Sequence, residues 1–246
     1  MGMGNGDDKP RQVRAMFEAI AGRYDFLNHF LSANLDRGWR RACVRAVGRR
    51  LPADDAPRIL DVGCGTGDLS LAFSRVGAVT GCDFSREMLR RGARKVADAA
   101  PRLPVQLLEA DALRLPFADE AFDVAVSAFV LRNLADIDRG LGEMWRVLRQ
   151  GGVLGVLDFG MPRTPVLRRL YGFYFLRVLP RVGRWVSGAD GPYQYLPDSV
   201  QTFPPAEELR RRVEAAGFRD VRIQRLAGGV TVLITAEKRA GGAADR

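Results

Sequence analysis

The spacing of apolar residues along the chain changes character near residue 57. Between residues 11 and 51, apolar side chains such as Val13, Met16, Phe17 and Ile20 recur at helical spacing. Two prolines, at positions 52 and 57, close this region. The pattern therefore predicts an N-terminal cap of helices over residues 11–51.

From residue 58 onward, short apolar runs alternate with amphipathic stretches. The runs predict strands at 58–62, 79–82, 105–108, 122–126, 153–158, 221–226 and 230–236. The stretches predict helices at 68–76, 85–99, 137–148 and 205–216. Strands that alternate with helices form a parallel sheet covered on both faces. Gly228-Gly229 between the last two runs indicates a hairpin, so one strand at or near the edge should be antiparallel.

The expected architecture is one α/β domain, a doubly wound and mostly parallel seven-stranded sheet with a C-terminal hairpin and N-terminal helices. The alternation stops at residues 162–204, where prolines, aromatic residues and arginines follow no clear period. This segment is interpreted as a lid insertion. Residues 1–10 and 239–246 are rich in Gly, Ala and Asp and are expected to be disordered tails, which leaves 11–238 as the single domain.

The sequence ILDVGCGTGD, at 59–68, identifies the edge of the sheet where a ligand would bind. In open α/β sheets ligands lie beyond the carboxyl ends of the strands, and Gly63, Gly65 and Gly67 follow the first strand. A dinucleotide site usually places its third glycine or alanine where this chain has Asp68. That carboxylate would repel a pyrophosphate but not a sulfonium or an amino group. The spacing favours S-adenosylmethionine over a nicotinamide dinucleotide.

Three further aspartates fit an adenosine site. Asp61 precedes the glycines, and Asp83 ends the second strand about twenty residues after them, where an acid can accept hydrogen bonds from a ribose. Asp111 follows the third strand, from which the chain can reach an adenine edge. The ordered set is more specific than the glycine loop alone.

Four segments resemble the class I S-adenosylmethionine-dependent methyltransferases, which have a Rossmann-like fold: LDVGCGTGDLS, GCDFSREML, EADALRLPFADEAFDVA and RVLRQGGVLGVLDF. Others are similar to a narrower group, the menaquinone/ubiquinone biosynthesis C-methyltransferases: FEAIAGRYDFLN, Trp39-Arg40, Leu131-Arg132-Asn133 and the Tyr193–Pro204 segment. The likeness extends over residues 11–237. It implies C-methylation of a polyprenyl quinol, demethylmenaquinol or 2-polyprenyl-6-methoxybenzoquinol, and the N-terminal segment favours the menaquinone branch.

The resemblance also implies roles for individual residues. To Asp61 and the three glycines it adds cofactor contacts at Thr66, Asp83, Asp111, Ala112 and Ala128. It places Arg132, Asn133 and Tyr195 at the reacting ring, and Tyr24, Asp25, Asn28 and Tyr193 at the substrate. Because the pKa of arginine is above about 12, Arg132 is expected to stabilise a phenolate while water removes the proton. Val130 departs from the family, which commonly has glycine there.

Composition changes the picture in two respects. Lys and Arg number 38 against 29 Asp and Glu, a formal charge of +9, which suits a solvated basic surface, an anionic membrane or a nucleic acid. There is no signal-peptide pattern and no apolar run of membrane-spanning length, so a cytoplasmic protein is expected. The segment 165–186 mixes aromatic residues with arginines and predicts transient contact with the inner face of the cell membrane.

Other readings remain open. The three cysteines have no paired spacing, and no cluster of residues has metal-ligand spacing, so neither a disulfide nor a metal is expected. A small-molecule O- or N-methyltransferase is the main alternative. The net charge also suggests an RNA methyltransferase, but no base-stacking module supports a nucleic-acid partner. A dinucleotide oxidoreductase and a non-enzymatic cofactor-binding module are weaker alternatives, and a homodimer is left open.

Overall fold

The computed structural model describes residues 34–52, 56–173, 177, 199–200 and 202–239. The described strands form one seven-stranded sheet, as the sequence predicts. They are β1 (Arg58–Val62), β2 (Ala78–Asp83), β3 (Val105–Glu109), β4 (Phe122–Ala128), β5 (Leu148–Phe159), β6 (Phe218–Leu226) and β7 (Thr231–Lys238). The described helices are α1 (Leu35–Gly48), α2 (Asp68–Phe73), α3 (Arg86–Ala99), α4 (Ile137–Val147), α5 (Pro165–Phe173) and α6 (Ala206–Ala215).

The sheet has the order β3-β2-β1-β4-β5-β7-β6. Strand β1 pairs in parallel with β2 on one side, Leu60 opposite Thr80, and with β4 on the other, Leu60 opposite Ala125. The chain therefore reverses its direction of travel at β1, and such a switch point opens a crevice at the carboxyl ends of the strands. Strand β7 runs antiparallel between β5 and β6, next to the edge, which confirms the predicted hairpin.

Two apolar layers cover the sheet, and each belongs to different helices. On one face, α1 and α2 bury Trp39, Val47 and Phe73 against β1, β4 and β5. On the other face, α4 and α6 bury side chains such as Met144 and Val213. Because both faces are covered, β1 is buried at four of its five positions. The predicted doubly wound arrangement is confirmed.

Predicted boundaries differ from the observed ones in a consistent way. Strand β5 begins at Leu148 and not at residue 153, because the chain turns at Gly151, whose φ is 75°, without leaving the sheet. Helix α2 ends at Phe73, three residues before the predicted end. Helix α3 begins as predicted after Ser85, whose side chain accepts a hydrogen bond from the Met88 N–H. Apolar runs thus locate elements better than their ends.

Several expectations concern residues outside the described part of the chain. These are the helices before residue 34, the disordered tails, and most of the 162–204 insertion, of which α5 is described. The three cysteines are buried and unpaired, as expected. Among the described helices, none is long and apolar enough to cross a bilayer.

Candidate active site

The glycine loop between β1 and α2 requires glycine at three positions. Gly63, Gly65 and Gly67 have φ values of 70°, 56° and 83°, in the left-handed region that side chains avoid. The N–H groups of Gly63 and Cys64 both donate to the Cys82 carbonyl, at 2.8 and 2.9 Å, which ties the loop to the end of β2. The alternating glycines therefore set a fixed backbone shape and do more than shorten a turn.

The Val130 side chain packs directly against the first glycine of this loop. A Cβ placed on Gly63 would lie 2.6 Å from Cγ1 of Val130, closer than atoms in proteins approach. The valine that departs from the family pattern thus packs against the first glycine of the loop.

Asp83 links the glycine loop to the following helix. One of its oxygens accepts a hydrogen bond from the Gly65 N–H at 2.9 Å, and the other accepts from the Ser85 N–H at 2.9 Å. Each carboxylate oxygen has a second lone pair, so both can still accept from a ribose hydroxyl. Burial raises the pKa of Asp83, and its hydrogen bonds to backbone N–H groups oppose that shift. Asp83 therefore organises the loop, a role that the sequence did not reveal.

The glycine loop forms one wall of a small, polar pocket. Its lining brings together five of the predicted cofactor residues, Asp61, Gly63, Gly65, Thr66 and Ala128, and five others, Arg40, Cys64, Asp68, Leu69 and Phe129. Two of its buried polar atoms make no hydrogen bond within the described part of the chain: Oδ1 of Asp61 and Nε of Arg40. One is an acceptor and the other a donor.

This pair of atoms fits the amino acid end of S-adenosylmethionine. Its α-amino group is a cation that the Asp61 carboxylate can receive, and its carboxylate is an anion that the Arg40 guanidinium can receive. Buried polar atoms left without partners cost stability, so a site that keeps one of each sign is matched to a ligand carrying both. The residues present therefore fit the cofactor that the sequence predicted.

Asp61 is a buried acid of the pocket whose pKa is strongly raised. Only 1% of its surface is exposed, and burial raises its pKa to about 7. The Ser70 hydroxyl, which donates to Oδ2 at 2.6 Å, and the Arg40 charge lower the pKa, whereas the nearby Asp83 raises it. A cation bound beside Asp61 would favour its ionised form.

Asp68 is not the unpaired carboxylate that the sequence analysis assumed. Its carboxylate forms ion pairs with Lys95 at 2.5 Å and with Arg40 at 3.7 Å. The sequence argument treated it as a free negative charge that would repel a pyrophosphate, but two cations offset that charge. The conclusion in favour of S-adenosylmethionine rests instead on Asp61, Arg40 and the shape of the loop.

The predicted adenine-side residues lie farther along the same edge of the sheet. Asp111 and Ala112 follow β3, and Oδ1 of Asp111 accepts a hydrogen bond from the Leu113 N–H at 2.8 Å. Thr66 is buried in the glycine loop just before α2, and its hydroxyl lies 3.4 Å from the Lys95 ammonium. Strand β3 neighbours β2, so Asp111 follows Asp83 in space as well as in sequence.

Arg132 occupies a buried ion pair. Its Nη1 donates to Oδ1 of Asp158, at the end of β5, over 2.8 Å, and the Asp158 side chain is only 1% exposed. Burial raises the pKa of Asp158, although the Arg132 charge opposes the shift. Arg132 also lines a groove of about 340 Å³ with residues such as Leu134, Thr202 and Phe203. The Asp158 carboxylate thus fixes the position of the Arg132 guanidinium, and Arg132 also borders this groove.

Phe129 connects the two arginines. Its ring centroid lies 5.7 Å from the Arg40 guanidinium carbon and 5.9 Å from that of Arg132. Its backbone has a φ of 63°, an uncommon conformation for a bulky residue. Its carbonyl accepts a hydrogen bond from Nδ2 of Asn133 at 3.2 Å, which ties a second predicted catalytic residue to the Phe129 backbone.

Sequence reasoning missed Asp158, the role of Arg40 and the conformation of Phe129. Arg40 belongs to a quoted family segment, and Asp158 ends a predicted strand, so both carried weak signals. The strand register, which brings Asp158 beside Arg132, was not readable from the sequence. Predicted positions that lie outside the described residues are Tyr24, Asp25, Asn28, Tyr193 and Tyr195.

A doubly wound sheet of this order is the fold of solved S-adenosylmethionine-dependent methyltransferases, and the family model that matches this chain is that of a methyltransferase family. The fold, the cofactor class and the enzyme class expected from the sequence are confirmed. More narrowly, the chain belongs to the ubiE/COQ5 methyltransferase family, whose model matches residues 4–238.

Curated relatives resemble the chain over nearly its whole length. A demethylmenaquinone methyltransferase of Thermus thermophilus is 46% identical over 221 residues, covering 89% of this chain and 97% of that protein. One of Deinococcus radiodurans is 41% identical over 240 residues, covering 96% and 97%. The ubiquinone/menaquinone biosynthesis C-methyltransferase UbiE of Geobacter sulfurreducens is 41% identical over 237 residues, covering 94% and 90%.

Solved structures of lower sequence identity share the fold. A Thermotoga maritima S-adenosylmethionine-dependent methyltransferase, described as a possible histamine N-methyltransferase, superimposes with a TM-score of 0.65 at 21% identity and covers 92% of this chain and 100% of that chain. A methyltransferase of Aquifex aeolicus gives 0.57 at 20% identity, covering 79% and 89%. At these identities the likeness concerns the architecture alone.

The raised pKa of Asp61 predicts pH-dependent cofactor binding. The pKa of about 7 in the free protein means that Asp61 is largely protonated below that pH, whereas a bound cation favours the carboxylate. Calorimetric affinity for S-adenosylmethionine should therefore rise with pH up to about 7, approaching tenfold per pH unit, with proton release on binding. Asp61→Asn should bind weakly and lose this component, while titration of the ligand's own amino group affects both proteins. An unchanged slope in the variant would contradict the assignment.

The same shift predicts a pH effect on the stability of the cofactor-free protein. The folded chain holds the Asp61 proton more tightly than the unfolded chain, whose ordinary value is 3.8. Its contribution to stability is complete below about pH 4 and is lost as pH rises to about 7. Thermal unfolding of the wild type and of Asp61→Asn over this range measures it. Parallel curves for the two proteins would show that Asp61 is not responsible.

The buried ion pair predicts a large cost for removing one partner. Asp158→Ala leaves the Arg132 charge buried without its partner and should lower the free energy of unfolding by about 3–5 kcal/mol. Glu207→Ala, which breaks the pairs of an exposed carboxylate with Arg163 and Arg225, should cost less than about 1 kcal/mol for each pair. Chemical denaturation compares the two. The double variant Arg132→Met with Asp158→Leu should recover most of the loss, and equal effects of the two alanine variants would contradict the buried-pair description.

Proposed function

We propose that this chain transfers the methyl group of S-adenosylmethionine to a ring carbon of a polyprenyl quinol in menaquinone or ubiquinone synthesis, with demethylmenaquinol as its main substrate. Two of the relatives described above carry the name demethylmenaquinone methyltransferase, and both are more than 40% identical to this chain. The structural observation that carries the proposal is the placement of Arg132, held against Phe129 in the wall of the cofactor pocket and open to a groove on its other side.

The chemistry needs a carbon nucleophile at a ring position. When bound, S-adenosylmethionine supplies an electrophilic methyl group and leaves as a neutral thioether. A quinol carbon becomes nucleophilic when a phenolic proton is lost, because the charge of the phenolate spreads onto the ring. The protein must therefore stabilise that phenolate, hold the ring carbon close to the methyl group and exclude bulk water. The ring carbon then loses its own proton to regain aromaticity.

Arg132 is suited to stabilise the phenolate. Its guanidinium cannot act as a base at ordinary pH. It is fixed by Asp158 on one side and packs on the Phe159 ring, with its carbon 5.0 Å from the ring centroid. A charge fixed before the reaction stabilises a developing anion without reorganisation. We assign deprotonation of the quinol to a water molecule, and assign Asn133, tied to the Phe129 carbonyl, to positioning of the ring.

We also propose contact between this enzyme and the inner face of the cell membrane. A polyprenyl quinol resides in the bilayer, so its enzyme needs an interfacial surface. Helix α5 supports this proposal because Val166 and Phe173 are 71% and 59% exposed, next to exposed Arg168 and Arg169. Apolar side chains beside cationic ones suit the headgroup region of a membrane.

The direct test is methyl transfer from labelled S-adenosylmethionine to short-prenyl demethylmenaquinol and to the methoxybenzoquinol, side by side and under reductant. We expect the naphthoquinol to react faster than the benzoquinol. Product from both rings would mean that one enzyme serves both pathways. Faster reaction of the benzoquinol would move the chain to ubiquinone synthesis. No product from either quinol, with the cofactor still bound, would remove the quinone assignment.

Arg132→Gln provides the test of mechanism. Loss of the fixed charge should lower kcat by about 10²–10³-fold and leave cofactor affinity unchanged. Because the phenolate would then form less readily, the rising limb of the pH–rate profile should also shift to higher pH, which a purely structural defect would not cause. Arg86→Gln, at an exposed ion pair with Glu109, is the matched control and should behave as the wild type. A lower kcat with an unshifted profile would rule out phenolate stabilisation.

A further inference from the structure

A groove of about 480 Å³ on the outer side of α1, α2 and α3 is surrounded by cationic side chains. It is lined by Arg37, Arg40, Arg41, Val44, Arg45, Asp68, Leu71, Ala72, Arg75 and Lys95. We call this feature the cationic groove. Arg40 and Asp68 belong both to it and to the cofactor pocket, so the groove begins beside the candidate active site.

Among the described residues, four of the five arginines of the cationic groove lack the carboxylate partners that most arginines elsewhere have, whereas the fifth, Arg40, pairs with Asp36 and Asp68. Arg146 and Arg212, for example, are each paired with two carboxylates. Arg37, Arg41, Arg45 and Arg75 are exposed, and within the described part of the chain the ion pairs include none of them. The formal excess of +9 is therefore concentrated, in part, at one face of the molecule.

The arrangement of these arginines is unfavourable for α1 itself. Arg37, Arg41 and Arg45 are four residues apart, so three like charges lie in a row on one helix face, and such pairs destabilise a helix. The helix dipole disfavours the cation of Arg37 in the first turn and favours that of Arg45 in the last, so it does not offset the repulsion at the start of the row. A row of like charges that destabilises its own helix points to an anionic partner whose binding offsets the repulsion.

We propose that the cationic groove docks the enzyme on the anionic phospholipid headgroups of a membrane. The proposal rests on the proposed function, since a quinol with a prenyl chain must be taken from a bilayer. Arginine binds phosphate through two parallel hydrogen bonds, and several arginines on one face can engage several headgroups at once. Leu35, 53% exposed at the start of α1, adds an apolar side chain at the end of the row.

A lipid surface fits this groove better than RNA does. Single-stranded nucleic acid is held by aromatic side chains that stack on its bases as well as by cations. The apolar residues that line the groove are Val44, Leu71 and Ala72, and none is aromatic. A membrane surface needs only the charge and the apolar residues, both of which are present.

The test compares two variants that lose the same charge. Arg41→Gln with Arg45→Gln removes two arginines of the cationic groove, and Arg102→Gln with Arg211→Gln removes two exposed arginines elsewhere that also lack a described ion pair. Co-sedimentation is measured with phosphatidylcholine vesicles that contain or lack phosphatidylglycerol. The wild type should bind only the anionic vesicles. The groove variant should bind them about twentyfold more weakly, near fivefold for each arginine, and the control should stay within about twofold.

Two further measurements separate docking from catalysis and from folding. Methyl transfer to a short-prenyl, water-soluble quinol should be equal in the wild type and both variants, whereas the KM for a long-prenyl quinol in vesicles should rise in the groove variant alone. Its melting temperature should be unchanged or higher, because like charges on α1 are removed. If the wild type does not methylate the soluble quinol, the result contradicts the proposed function and leaves membrane docking by the groove to be judged from vesicle binding.

Three outcomes would overturn the proposal. Equal weakening by the two variants would mean that vesicle binding follows net charge and not the groove. Vesicle binding that the groove variant retains in full would assign membrane contact to another surface, such as α5. Tight, groove-dependent binding of single-stranded RNA, without binding to anionic vesicles, would identify a nucleic-acid partner instead.

Discussion

The candidate site depends on the Phe129 ring, which contacts the guanidinium groups of both Arg40 and Arg132. Phe129 follows β4 in a left-handed conformation that costs a bulky residue about 1–3 kcal/mol. Its N–H donates to the Leu157 carbonyl at 2.7 Å, and its ring contacts those of Trp39 and Phe159, with centroids 6.1 and 4.8 Å away. These contacts hold Phe129 in its strained backbone conformation. They also join α1, the end of β4 and the end of β5 at the edge where ligands bind.

Two arginine–carboxylate pairs lie near this ring, and each is suited to a different role, one in cofactor binding and the other in stabilising charge during methyl transfer. On the cofactor side, Arg40 and Asp61 keep one donor and one acceptor unpaired in a buried pocket. On the other side, Arg132 and Asp158 form a buried ion pair through Nη1, and Nε of Arg132 makes no hydrogen bond within the described residues. The first arrangement is suited to receive a zwitterionic ligand, and the second fixes a charge in advance of the reaction. Burial raises the pKa of both aspartates, so the same desolvation serves binding on one side and positioning on the other.

The sequence predicted what depends on local pattern. Alternating apolar runs and amphipathic stretches gave the strands and helices, and the glycine spacing gave a loop whose three left-handed residues are observed. The same pattern failed where a choice depended on distant neighbours. Asp68 read as a free carboxylate, but Lys95 on α3 and Arg40 on α1 neutralise it, and neither was visible as its partner in the sequence.

By itself, the sequence determined the class of fold, the cofactor and the positions of its acidic residues, because these follow from periodicity and from short motifs at strand ends. The tertiary structure alone decided which charges meet. Parallel register brings Asp158 of β5 next to Arg132, which follows β4, and the packing of α1 over the sheet brings Arg40 to Asp61. Arg40 and Asp61 are 21 positions apart and Arg132 and Asp158 are 26 apart, and no local sequence pattern marks either pair. Their pairing is set by strand register and helix packing, which no local pattern encodes.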